Sequence, residues 1–175
     1  MFNSDKNSAS FLILLLGLVL GVTGCKEPAG TDDLSFDQTA LLSNLANNII
    51  IPNYEDFNTS LTRLETAATE FENNPDATSL EMLRSEFIDT YRDWVHCSTF
   101  EFGPAADRSL RAQVNTFPTD TQKVLSNALS GNYNLEQATN IDAKGLPALD
   151  FLLYGLGGEP AEVLTEFTDS NKGPG

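Results

Sequence analysis

Tyr54-Glu55-Asp56-Phe57-Asn58-Thr59-Ser60-Leu61-Thr62-Arg63-Leu64-Glu65-Thr66-Ala67-Ala68-Thr69-Glu70-Phe71 is the stretch that decides the fold class. Tyr54, Phe57, Leu61, Leu64, Ala68 and Phe71 recur in alternating steps of three and four, which places them along one side of an α-helix. Upstream, Leu42, Leu45 and Ile49 keep the same spacing, so the sequence predicts one long amphipathic helix between Phe36 and Phe71. Pro52 falls inside it. A proline lacks the backbone N–H and its ring crowds the carbonyl four residues back, so the helix is expected to kink or divide there. Asn73-Asn74-Pro75-Asp76 ends it.

Downstream the pattern repeats. Thr78 and Glu81 have capping-box spacing, and Leu80, Leu83, Phe87, Tyr91 and Trp94 form the apolar face of a second helix that runs towards Phe100 and stops before Gly103-Pro104. A short helix is expected from Ala105 to Asn115. Another starts at Thr119 with Gln122, passes through Val124, Leu125 and Leu129 and ends at Gly131. Leu135 to Thr139 can hold one more turn. Leu146-Pro147-Ala148-Leu149-Asp150-Phe151-Leu152-Leu153-Tyr154 is apolar nearly all round, with proline in its first turn and Gly155 after its last, so it reads as a helix buried in the core. No alternating strand pattern of any length is present. The class is all-α, a bundle with short extra helices.

Towards the N-terminus the chemistry changes. The apolar run Phe11 to Val22 has the size and position of a signal-peptide core and is shorter than the roughly 20 residues a membrane-spanning helix needs. Val22-Thr23-Gly24-Cys25 resembles the bacterial lipobox, which implies cleavage before Cys25 and lipidation of its thiol. The expected organisation is a signal peptide at 1–24, a Pro/Gly/Asp-rich tether at 25–35 and a helical domain at 36–175. The anchor puts the chain on a membrane of the cell envelope. Lys26-Glu27 lacks an aspartate at the second mature position, which favours the outer membrane.

The formal charge of −15 survives removal of the signal peptide, because Asp5 and Lys6 leave together. So acidic a surface excludes nucleic acid and anionic headgroups as partners. Carboxylate excess suits either solubility or hard cations. The mature chain keeps Cys97 as its one other cysteine, so no internal disulfide forms, and a lone thiol in a helical pattern reads as a small buried hydrophobe.

Four stretches in order carry a family likeness: Asn48-Ile49-Ile50-Ile51-Pro52-Asn53-Tyr54-Glu55-Asp56-Phe57, Tyr91-Arg92-Asp93-Trp94, Phe102-Gly103-Pro104-Ala105 and Gly145-Leu146-Pro147-Ala148-Leu149-Asp150-Phe151-Leu152-Leu153-Tyr154-Gly155. Arg111 to Pro118 fits between them. The chain resembles the imelysin-like family of bacterial envelope proteins, which includes peptidases and relatives linked to iron uptake. That resemblance implies two related helical bundles with a site where they meet, of which this chain carries the first bundle and the motif region. It also implies a signature of glycine, histidine two residues on, and glutamate three after that. Here those positions are Gly145, Pro147 and Asp150.

Proline offers no ligand, and one aspartate does not make a zinc site, which uses three protein ligands in catalytic centres. No catalytic residue is therefore assigned. The metal-binding or ligand-binding candidates are Asp150, His96 and Glu101. An isolated acid in so apolar a helix is expected to be desolvated, paired with Arg92 or Arg111, or liganded. His96 reads either as a ligand or proton shuttle, or as a histidine placed where a helix C-terminus favours positive charge. The cofactor the resemblance implies is a divalent metal or iron, and the partners are the membrane, a metal ion or other envelope proteins. The leading expectation is a binding lipoprotein; a peptidase with a diverged site and a paralogue without activity are the alternatives.

Overall fold

The computed structural model describes residues 36–169. The expected signal peptide at 1–24, the lipidation position Cys25 and the expected tether at 25–35 lie outside the described residues. Within them the chain forms helices α1 (Gln38–Leu45), α2 (Ile51–Asn73), α3 (Ala77–Cys97), α4 (Pro104–Asp107), α5 (Leu110–Val114), α6 (Thr121–Ser130), α7 (Leu146–Tyr154) and α8 (Pro160–Thr168), with no strand among the described residues. The all-α expectation holds.

The long first helix is divided as Pro52 requires, though without a break. Between α1 and α2 runs one π-helical stretch, Ala46–Ile50, and the Ile51 N–H donates to the Ala46 carbonyl, five residues back. Widening the turn lets the chain pass a residue that can neither donate nor fit against the carbonyl four back, and Pro52 then sits in the first turn of α2, where no donor is needed. The apolar stripe upstream is not buried: Leu42 is 55% and Ile49 45% exposed.

The α2–α3 hairpin is the spine. Phe57, Leu64 and Phe71 of α2 meet Leu80, Leu83, Phe87 and Trp94 of α3 in one buried cluster, and the Phe57 and Trp94 rings lie 5.3 Å apart. Each fully buried side chain of this kind contributes about 1.5–3 kcal/mol. Small polar residues set the helix spacing. Thr90 and Ser60 are fully buried, and their hydroxyls donate to main-chain carbonyls, Thr90 to Ser60 at 3.1 Å and Ser60 to Phe57 at 3.0 Å, so close approach leaves no polar group unpaired.

Local starts differ from the sequence expectation because aspartate outcompetes threonine. Asp76, rather than Thr78, caps α3: its carboxylate accepts from the Thr78 and Ser79 N–H groups at 2.8 and 2.9 Å, and Ser79 closes the box by accepting from the Asp76 N–H at 3.1 Å. Asp120, rather than Thr119, caps α6 by accepting from the Lys123 N–H. The expected helix from Ala105 to Asn115 is two, split where Ser109 takes φ 50°. The turn expected at Leu135 to Thr139 appears as a 3₁₀ stretch over Ala138–Ala143.

That 3₁₀ stretch is tied to α6 at Asp142. Its carbonyl accepts from the Thr119 hydroxyl and the Asp120 N–H, both at 2.7 Å, and its carboxylate accepts from Lys123 Nζ at 2.6 Å. Lys123 also donates to the Thr139 carbonyl. The hydrogen bond from Lys123 holds the Asp142 carboxyl below its usual 3.8, and the same bond raises the Lys123 ammonium above 10.5. A depressed carboxyl contributes stability above its unfolded value and loses it as pH falls through the folded one; a raised amine contributes below its unfolded value and loses it as pH rises. Lys123→Met is therefore expected to lower the urea midpoint at neutral pH. The gap to the parent should close as pH drops below 3.8, and a gap that stays constant down to full protonation of Asp142 would contradict the ion-pair account.

Candidate functional site

Helix α7 positions the motif residues, and it is a wedge with three working faces. Leu146 and Leu153, seven residues apart, join the main cluster with Phe87 and Val163. Ala148, Phe151 and Leu152 turn to a second cluster with Val124 and Ala143. Pro147, Asp150 and Tyr154 fall on the remaining face, where Asp150 and Tyr154 are exposed. The expectation of a helix buried all round, with Asp150 desolvated or paired, is thus corrected. Two apolar faces suffice to anchor α7, and the acid occupies the third. Asp150 has no ion pair among the described residues; Arg92 pairs with Asp89 at 3.0 Å and Arg111 with Glu101 at 3.2 Å.

Both ends of α7 are fixed. Gly145, just before it, has φ 79° and ψ −167°, a region in effect reserved for glycine. A Cβ there would also overlap the main-chain carbonyl of Val114 at the end of α5. The motif glycine is therefore required by backbone geometry and close packing. At the other end the Leu153 carbonyl accepts from Arg84 Nε at 3.0 Å and Nη2 at 2.5 Å, and the same guanidinium lies 4.7 Å from the centre of the Tyr154 ring. Arg84 is only 8% exposed. A cation that donates to the last turn of a helix complements its dipole and closes a carbonyl that has no partner in the helix.

The other sequence candidates lie apart. His96 is exposed in the last turn of α3. Glu101 is engaged with Arg111, accepting from its backbone N–H at 2.9 Å and so capping α5 in place of Ser109. Next to this pair, Tyr54 donates to the Phe100 carbonyl at 3.2 Å, and burial with the nearby Cys97 and Glu101 raises its hydroxyl above 10.0. Among the described residues no group of three or more His, Cys, Asp and Glu side chains is placed to hold a metal. His96, Glu101 and Asp150 are not brought together.

What the fold does build is an open groove of about 400 Å³ where the end of α2 meets α6, α7 and α8. Leu125, Leu129, Leu149, Leu152, Phe71 and Phe167 are among its lining residues, the two phenylalanine rings edge to face at 5.1 Å. Glu72 and Glu166 are its two charged lining residues. Neither the groove nor Arg84 figures in the sequence reading. Arg84 had a signal, since it falls between Leu80, Leu83 and Phe87 on the apolar face of α3; the groove had none, being assembled from five helices.

The imelysin family profile matches residues 50–171, from the π turn through α8. The chain belongs to the imelysin family. Iron-regulated protein A of Synechococcus elongatus is 25% identical to it over 149 residues, which is 82% of this chain and 40% of that protein. The chain thus spans about 40% of the length of the curated relative it matches. No solved structure matches it. The imelysin-type motif position Gly145 is structural here, and Asp150 is the motif side chain that reaches solvent.

Two substitutions test the clamps on α7. Gly145→Ala should destabilise the fold by about 1–3 kcal/mol from backbone strain alone, with the clash against Val114 adding to it. Arg84→Met should cost about 1–3 kcal/mol by leaving the Leu153 carbonyl without a donor. Both are read from denaturant midpoints, and neutral behaviour of either would remove that clamp.

Proposed function

We propose that this imelysin-family chain is a binding lipoprotein of the cell envelope, linked to iron, and that its groove between α6, α7 and α8 is the binding site. The observation that supports this most is the groove itself. Its volume of about 400 Å³ lies in the range of small-molecule sites, and such sites are mostly apolar with few polar groups. It is built on the helix that carries the family motif.

The link to iron rests on the name of the relative, iron-regulated protein A. The donor set supports binding over hydrolysis: Pro147 supplies no ligand, and Asp150, His96 and Glu101 are not grouped. Iron or a divalent metal, if it is carried, would come with a ligand that completes its coordination. Lipidation at Cys25 and outer-membrane placement belong to the same proposal and rest on Val22-Thr23-Gly24-Cys25 and Lys26-Glu27. No helix among the described residues is long and apolar enough to cross a membrane.

The test has two arms. A neutral apolar dye such as Nile red should bind with one-to-one stoichiometry, and Ala128→Trp, which fills the groove from α6, should weaken it at least about tenfold with unchanged helicity. Equal binding by the variant would dismiss the groove. In parallel, elemental analysis of the chain and of Asp150→Ala after growth in iron-rich medium should give the same metal content for both. Stoichiometric metal lost in the variant would move the site to the outer face of α7 and favour the peptidase reading instead.

A further inference from the structure

The lining of the groove has one polar feature. Every residue that borders it is apolar except Glu72 and Glu166, and none is basic. Both acids adjoin the phenylalanine pair in sequence, Glu72 after Phe71 on α2 and Glu166 before Phe167 on α8. The two rings meet edge to face at 5.1 Å, so the helices that carry the acids are fixed to each other right beside them. Phe71 is buried while Phe167 is 38% exposed, which leaves aromatic surface within reach of a ligand. None of the ion pairs among the described residues includes Glu72.

These features select an occupant by its charge. An anion entering the groove meets two carboxylates, no lining cation and the field of a chain that carries −15. A neutral apolar molecule gains from the leucines and nothing from the acids. A cation attached to an apolar body gains from both, because a carboxylate and the face of an aromatic ring each attract it, the more strongly beside an apolar wall. A bare metal ion fits poorly, since two carboxylates among hydrocarbon do not complete a coordination shell. The volume of about 400 Å³ suits a small molecule.

We infer, on the footing that the groove is the binding site, that it takes a small apolar organic cation. An amine or a quaternary ammonium would pack its hydrocarbon body on the leucines and direct its charge towards Glu72 and Glu166 beside the phenylalanine pair.

The experiment uses the full chain and three rigid probes of one shape, adamantylamine, adamantanol and adamantanecarboxylate, each followed by calorimetry and by displacement of Nile red. The amine, charged at neutral pH, should bind at least about tenfold more tightly than the alcohol, and the carboxylate at least about tenfold more weakly than the alcohol. The ratio of amine to alcohol affinity should fall at least about threefold in Glu72→Gln, and further when Glu166→Gln is added, with unchanged circular dichroism. It should also fall in 1 M salt, where the Debye length is about 3 Å. Glu55→Gln, about 25 Å away along α2, should leave the ratio as it is, which separates the two lining acids from the charge of the whole chain. Equal binding of amine and alcohol by a chain that binds Nile red would overturn the inference and leave the groove standing. Failure of every probe, Nile red included, would dismiss both. A ratio that survives the double glutamine substitution would trace the preference to the acidity of the chain at large and overturn the inference as well.

Discussion

Helix α7 has to satisfy two cores at once, and most of the architecture follows from that requirement. Leu146 and Leu153 complete the cluster that the α2–α3 hairpin leaves open, while Ala148, Phe151 and Leu152 hold α6 and its 3₁₀ neighbour. A nine-residue helix cannot fix its own position. It takes its orientation from the backbone contact of Gly145 with Val114 and from the Arg84 fork on the Leu153 carbonyl. These two clamps come from distant parts of the chain, so the position of α7 depends on both α3 and α5.

The same geometry explains the character of the candidate site. Because α7 spends two faces on packing, one is left for solvent, and that is where the family motif acid falls. Two other positions singled out in the sequence have structural roles in this fold. Glu101 caps α5 through Arg111, and Pro147 shapes the first turn of α7. The leucine-lined groove is bordered by Leu149, Leu152 and Leu153 of the same helix.

Periodicity made the hairpin legible, since Phe57, Leu64, Phe71, Leu80, Leu83, Phe87 and Trp94 all bury as their spacing requires. It could not distinguish a stripe that meets a partner from one that runs beyond it, which is why Leu42 and Ile49 were expected inside and are found exposed. Capping was misread at both Thr78 and Thr119 for one reason: a nearby aspartate, Asp76 two residues before the first and Asp120 one residue after the second, presents a charged acceptor to the free amides of the first turn. Asp150 was misjudged because composition alone does not reveal how many faces of a helix are covered. The groove depends on side chains brought together from five helices, information that no local window contains.

Cys97 gives this chain one further property. It is fully buried beside Trp94, and burial pushes its thiol up to about 11, so the reactive thiolate is scarce while the fold is intact. Alkylation at this position consequently reports the opening of the hairpin, and the natural sequence carries its own clock for native-state unfolding.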